Sequence, residues 1–255
     1  MKTWFAFMKK EWLEQVRSVK LWICIGLFVL FGAMNPAIAK VTPIILDAFS
    51  EALEGSGMTI TQVEVSALDS WMQFFKNMPI ALIAFVLFQS SIFTKEYGST
   101  LVLSLTKGLE RYKVVIAKSL TLLLLWTGCY WLCFGVTYAG NELFWSNSIA
   151  KNLALSTFNY WLYGVFTLSL ITLFSTLVNS GIVVLVLTGG VSFGLSLFSF
   201  IPKFGEWLPV FLADGTALVY GMESAETYLV AIIVTVVLTV ACFVVSVPLF
   251  NKKQV

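Results

Sequence analysis

Apolar and polar positions along this chain separate into blocks. Six stretches, residues 21–39, 78–94, 119–139, 152–178, 181–201 and 228–250, contain no Asp, Glu, Lys or Arg, and every charge falls between them. A helix needs about 20 apolar residues to cross the roughly 30 Å hydrocarbon core of a bilayer, and each stretch reaches or approaches that length. The pattern predicts an all-α polytopic membrane protein, with six transmembrane helices in one transmembrane domain spanning residues 1–255. Composition excludes an ordinary soluble domain. Hydrophobic residues make up 58% of the chain and charged residues 12%, against about 25% charged in soluble domains, and the mean hydropathy is +0.88.

The segments between the stretches carry patterns of their own. Before the first span, Phe5, Met8, Trp12, Val16 and Val19 recur at steps of three and four, while Lys9, Lys10, Glu14 and Arg17 fill other directions. That is the period of an amphipathic helix, with aromatics for the acyl boundary and cations for headgroups. Residues 1–20 are therefore expected to form an in-plane elbow helix, flanked by Trp4 and Trp22. Between spans 1 and 2, residues 40–77 form a long connection. Ile44, Ile45, Phe49 and Leu53 predict an amphipathic helix broken after Glu54, and residues 70–78 predict a second short helix. Residues 202–227 are too apolar for a solvated loop, with Trp207, Leu208, Val210, Phe211 and Leu212 around Pro209, and are read as a possible re-entrant segment.

Charge asymmetry sets the orientation. Lys2, Lys9, Lys10, Arg17 and Lys20 precede span 1. Lys95, Lys107, Arg111, Lys113 and Lys118 lie between spans 2 and 3, and Lys252 and Lys253 close the chain. Six crossings put these groups on one side. The other side holds few cations and most of the acids. Short basic loops stay cytoplasmic, so both termini are expected inside. The first span has features of a signal peptide, including Ala37-Ile38-Ala39, but the segment before it is long for a signal n-region, so it is read as an uncleaved span.

Absences narrow the chemistry. The chain contains no histidine, which removes the ligands of a His-based metalloprotease and the base of a Ser-His hydrolase. The uncharged stretches offer none of the ionisable groups at depth that ion- or proton-driven transporters use. No Gly precedes a Lys, so the phosphate-binding Gly-x4-Gly-Lys-[Ser/Thr] loop is missing. No catalytic, cofactor or metal site is expected on this chain. Cys24, Cys129, Cys133 and Cys242 all fall within spans and read as small apolar packing residues. No cysteine in the outer loops offers a disulfide, and no Asn-x-[Ser/Thr] sequon occurs; both suit a bacterial inner membrane.

The connection over residues 95–118 is less polar than an ordinary loop. Leu101, Leu103, Leu105 and Leu109 need a surface to bury against, Gly98 and Gly108 punctuate the run, and Ser104 or Thr106 suits the cap of a short helix starting near Lys107. An apolar cytoplasmic helix bracketed by glycines suits docking into another protein's groove, or rest on its own bundle.

Together these features resemble a permease subunit of a type-2 ABC exporter. Lys10, Glu11, Trp12, Glu14 and Arg17 are similar to that family's elbow pattern. Glu96, Gly98, Thr100, Leu105, Thr106, Gly108, Leu109, Arg111, Tyr112 and Lys118 are similar to its coupling loop. The chain departs from the pattern at Ser99, at Gly108 where Pro is frequent, and at Ala117 where Gly is frequent. The resemblance implies a coupling helix that docks on a separate ATPase and a complex of two permeases with two ATPase subunits. The second permease is either an identical or a related chain. ATP and Mg would bind on the partner, and nucleic acid has no role. It also implies a pathway lined mainly by spans 2 and 5. Phe85, Phe88 and Gln89 are candidates for its wall, while Gly190 and Gly194, a GxxxG pair in span 5, suit either a dimer face or packing within one subunit. The expected cargo is amphipathic or hydrophobic, such as a peptide toxin, a bacteriocin or a drug. The alternative is a partner-free membrane pore or scaffold.

Overall fold

The computed structural model describes residues 2–53, 65–90, 92, 110–201 and 203–252. Among them there is no strand. The helices, in chain order, are α1 (Lys2–Val16), α2 (Val19–Leu53), α3 (Ala67–Gln89), α4 (Arg111–Phe144), α5 (Leu153–Leu177), α6 (Gly181–Phe198), α7 (Thr216–Tyr220) and α8 (Leu229–Lys252). Six of these, α2 to α6 and α8, are long and apolar enough to cross a membrane. The sequence-predicted six-span, all-α architecture is therefore present.

Several boundaries differ from the uncharged runs. The amphipathic run predicted over residues 43–53 is no separate element but the continuation of α2, which runs on past Pro36 and Pro43. The short helix predicted over residues 70–78 is the beginning of α3. A capping box starts α3 at Ala67: Ser66 Oγ accepts from Leu68 N at 3.2 Å, and Asp69 Oδ2 accepts from Ser66 N at 2.8 Å. The uncharged run began late, at residue 78, because Lys76 interrupts it while pointing outward from the helix. Span 3 likewise extends at both ends, so Arg111, Tyr112 and Lys118 belong to α4 rather than to a loop. Residues 203–228 fold as a series of short helical turns. Leu208, Leu212 and Leu218 bury against the bundle, and Ser156 Oγ donates to Gly215 O at 2.7 Å.

The bundle is organised around α5. In its apolar window 72% of residues are buried, against 11% for α6 and 22% for the window ending in α8. So α5 is the internal post, and α6 and α8 lie on the outside with apolar surface left for lipid. Helices α2, α3 and α4 pack together, and α5 joins them to α6 and α8. Aromatic rings fill the seam: Trp126 lies 6.0 Å from Phe28 and 5.5 Å from Phe85, both edge-to-face. Close backbone approach is allowed at Gly32 and Gly164. A Cβ on Gly32 would sit 2.9 Å from Cys133 O, and one on Gly164 would overlap the Trp126 indole.

Polar groups inside the bundle find partners along α2, α3 and α4. Asn35 Nδ2 donates to Thr137 Oγ1, Thr137 Oγ1 to Gly32 O, and Asn77 Nδ2 to Asn35 Oδ1, at 3.0, 3.0 and 2.8 Å. Such bonds are the glue of apolar bundles, worth about 1 kcal/mol each. At the bundle end away from the termini, buried Asn147 accepts from Trp71 Nε1 (2.9 Å) and Asn141 Nδ2 (3.2 Å) and donates to Glu142 Oε1 (2.9 Å).

Candidate functional site

Two arrangements stand out, one at the bundle end that carries the termini and one between α3 and α6. The first is built on α1. Of its apolar stripe, Phe5, Trp12 and, beyond the helix, Val19 are exposed, as suits contact with acyl chains, while Met8 and Val16 are half-buried against the bundle. Its inward face carries Phe7 and Glu11. Phe7 packs with Val114, Val115 and Ala117 of α4 and Phe250 of α8, so both ends of the chain meet at the start of α4.

Beside this cluster Glu11 is bonded to Lys118. Lys118 Nζ lies 2.9 Å from Glu11 Oε2, with side chains 4% and 2% exposed, and it also donates to Ile92 O at 3.0 Å. Lys10 Nζ adds a second cation 3.4 Å from Glu11 Oε1 and reaches Glu14 Oε2 at the same distance. Lys20 Nζ donates to Phe88 O at 3.4 Å. The last carbonyls of a helix have no intrahelical partner and carry negative partial charge. Two lysines from different elements therefore serve the segment that ends α3. On the returning side, Glu110 precedes α4, where Tyr112 and then Lys113, at 3.0 Å, hydrogen-bond its carboxylate and hold it below the ordinary range. Arg111 Nη1 donates to Asn251 O at 3.4 Å. The segment that leaves at residue 92 and returns at residue 110 is thus tied at both edges to α1.

Of the elbow residues, Glu11 is buried at this junction, Lys10 and Glu14 pair beside it, and Trp12 and Arg17 are exposed. Glu96, Gly98, Thr100, Leu105, Thr106, Gly108 and Leu109 lie outside the described residues. Arg111 and Tyr112 form the first turn of α4.

The second arrangement is a cleft of about 480 Å³ between α3 and α6, floored by α5. Leu82, Ile83 and Val86 line one wall, Leu185, Gly189 and Phe193 the other. Polar groups form a narrow seam: Tyr160, Tyr163 and Thr167 on α5, Thr188, Ser192 and Ser196 on α6. Among the described residues no charged side chain lines the cleft.

The wall candidates occupy other faces. Phe85 is fully buried between Phe28 and Trp126. Gln89 is buried, and Phe88 is half-buried with its carbonyl taken by Lys20. Gly190 and Gly194 have open space where a Cβ would stand, so the GxxxG pair makes no close contact with the other described residues. The expected helices border the cleft, but through their neighbouring faces. Tyr160 and Thr188 were not anticipated. The signal for Thr188 was present, since Thr188, Ser192 and Ser196 recur every fourth residue of an apolar span. Tyr160 carries no comparable pattern.

The chain is 25% identical over 215 residues to the uncharacterized transmembrane protein YxlG of Bacillus subtilis (strain 168), an alignment covering 82% of this chain and 81% of that protein. No family model and no solved structure matches it. The relative and the six apolar helices make this a multi-pass membrane protein.

Proposed function

We propose that this chain is the permease subunit of an ATP-driven type-2 ABC exporter in the plasma (inner) membrane of a bacterium, with both termini cytoplasmic. The observation that carries the reading is the buried Glu11–Lys118 pair with its bond to Ile92 O. It fastens α1 to both edges of the segment between α3 and α4, where an ATPase would push. A push at that segment reaches α1 and α4 together through a buried charge pair, which resists separation more than surface contacts do. The cleft between α3 and α6 supplies an uncharged wall for an amphipathic or hydrophobic cargo.

In this reading the working unit holds two permeases and two ATPase subunits. ATP and Mg reside on the partners, and this chain hydrolyses nothing alone. The experiment is co-expression with a candidate ABC ATPase subunit, followed by co-purification, ATPase assay and export assay. Leu109→Asp then weakens assembly or uncouples hydrolysis from export at equal expression, and Arg111→Ala does so more mildly. A chain that purifies without any ATPase, and a Leu109→Asp variant that behaves as wild type, would favour the pore or scaffold instead.

A further inference from the structure

The cleft between α3 and α6 has three features that together specify a ligand. It is walled by aliphatic side chains and no charge. Its rim residues Ile83, Leu87 and Phe193 are well exposed on spanning helices, so entry is from the hydrocarbon layer rather than from water. On its lining, the buried hydroxyls of Tyr160 and Thr188 have no hydrogen-bond partner, although their side chains are almost wholly buried. Buried hydroxyls without partners are uncommon because desolvation is then uncompensated. Elsewhere in the same helices threonines bond back to their own helix: Thr167 Oγ1 donates to Tyr163 O and Thr172 Oγ1 to Leu168 O. Thr188 does not.

We propose that this cleft binds a neutral acyl-chain lipid, the chain lying along Leu82, Val86 and Leu185 and an uncharged ester carbonyl accepting from Tyr160 Oη and Thr188 Oγ1. A phenol and a threonine hydroxyl can each donate, and one ester carbonyl has the two lone pairs to accept from both. An ionic headgroup is disfavoured because nothing in the cleft compensates its desolvation. The volume falls within the range of small-molecule sites. The inference shares with the exporter reading only the use of α3 and α6 as the transport face.

The test uses the full chain alone in nanodiscs, without ATPase or nucleotide, so its outcome is separate from that of the exporter reading. A diacylglycerol carrying a diazirine on one chain is photolysed and the labelled peptides are mapped. Saturable labelling of α3, α5 and α6, competed by unlabelled diacylglycerol, is expected. Thr188→Val and Tyr160→Phe each weaken competition roughly three- to tenfold, the worth of one neutral hydrogen bond. Gly189→Phe abolishes labelling by filling the cleft, since a Cβ at Gly189 meets nothing within 4 Å. Labelling spread over α2 and α8 and unchanged by Gly189→Phe would make the lipid an ordinary annular one and overturn the site. Equal labelling by a diazirine alkane that lacks a carbonyl, with Thr188→Val as wild type, would overturn the recognition of the ester.

Discussion

Glu11 and Lys118 are 107 residues apart in sequence and 2.9 Å apart in space. The pair sits where α1, the end of α3 and the start of α4 converge, and it is closed off by Phe7, Val114 and Phe250. Its energetic meaning is asymmetric. Forming such a pair gains little over apolar packing, but stripping one partner removes the main compensation of a buried charge, a loss of up to about 3–5 kcal/mol that Lys10 Nζ, 3.4 Å from Glu11, offsets in part for the acid.

Glu11→Leu and Lys118→Met should therefore each destabilise the protein strongly. The double variant Glu11→Leu with Lys118→Met should be more stable than either single one. It should still fall below wild type, because Ile92 O loses the donor that it accepts from, a cost of about 1–3 kcal/mol. Thermal unfolding of the detergent-solubilised protein measures this. Additive losses in the double variant would mean the two charges are not coupled.

The glycines make a second, ordered prediction. Gly164→Ala should destabilise by roughly 1–3 kcal/mol through overpacking, because its new methyl overlaps the Trp126 indole in the bundle core. Gly190→Ala and Gly194→Ala should leave the isolated subunit's stability unchanged or slightly raised, since alanine is the better helix former and both sites have room. The same unfolding assay ranks them. Equal losses at Gly164 and Gly194 would contradict the packing described.

The spans were legible because lipid demands long uncharged helices, and a run such as residues 228–250 has no other use. Their ends were less so. Counting uncharged residues delayed α3 to residue 78, since Lys76 points outward without ending the helix, while the true start is written in the Ser66–Asp69 capping box. The elbow was read from its apolar stripe, yet what anchors it is Glu11 on the opposite face. A buried acid is invisible in sequence until its partner is known, and Lys118 looked like one more cation of a basic loop. Tertiary faces were the least legible. Phe85 and Ile83 are two residues apart in one apolar helix, and only packing decides that the first enters the core and the second the cleft rim.

Asn147 is a further point of concentration. It accepts from Trp71 Nε1 and Asn141 Nδ2 and donates to Glu142 and to the Tyr138 carbonyl. Asn147→Leu, branched at the same carbon but larger, should strand two buried donors at once and cost about 1–3 kcal/mol for each. Asn147→Asp keeps the acceptor for Trp71 but faces Glu142, so it too should destabilise. The Trp71 share of the emission, taken as the difference from a Trp71→Phe background among the nine tryptophans, provides a local readout, because loss of its Nε1 partner alters the indole environment before global unfolding. Unchanged emission and stability in Asn147→Leu would remove Asn147 as the hub of this end.

Orientation follows from the distribution of charge and is tested directly. Ser148 is exposed at the bundle end remote from the termini, and Lys9 is exposed on α1. The native cysteines interfere little, since Cys24, Cys129 and Cys133 are buried and Cys242 lies mid-way along α8. With a membrane-impermeant maleimide on intact cells, Ser148→Cys should label, and Lys9→Cys should label only after the membrane is opened. Both sites labelling from outside would contradict the three crossings, α2, α3 and α4, that separate them. The reverse pattern, Lys9→Cys from outside and Ser148→Cys only after lysis, would invert the protein. The segment over residues 93–109 would then be out of reach of any cytoplasmic ATPase, and the exporter reading would fall with it.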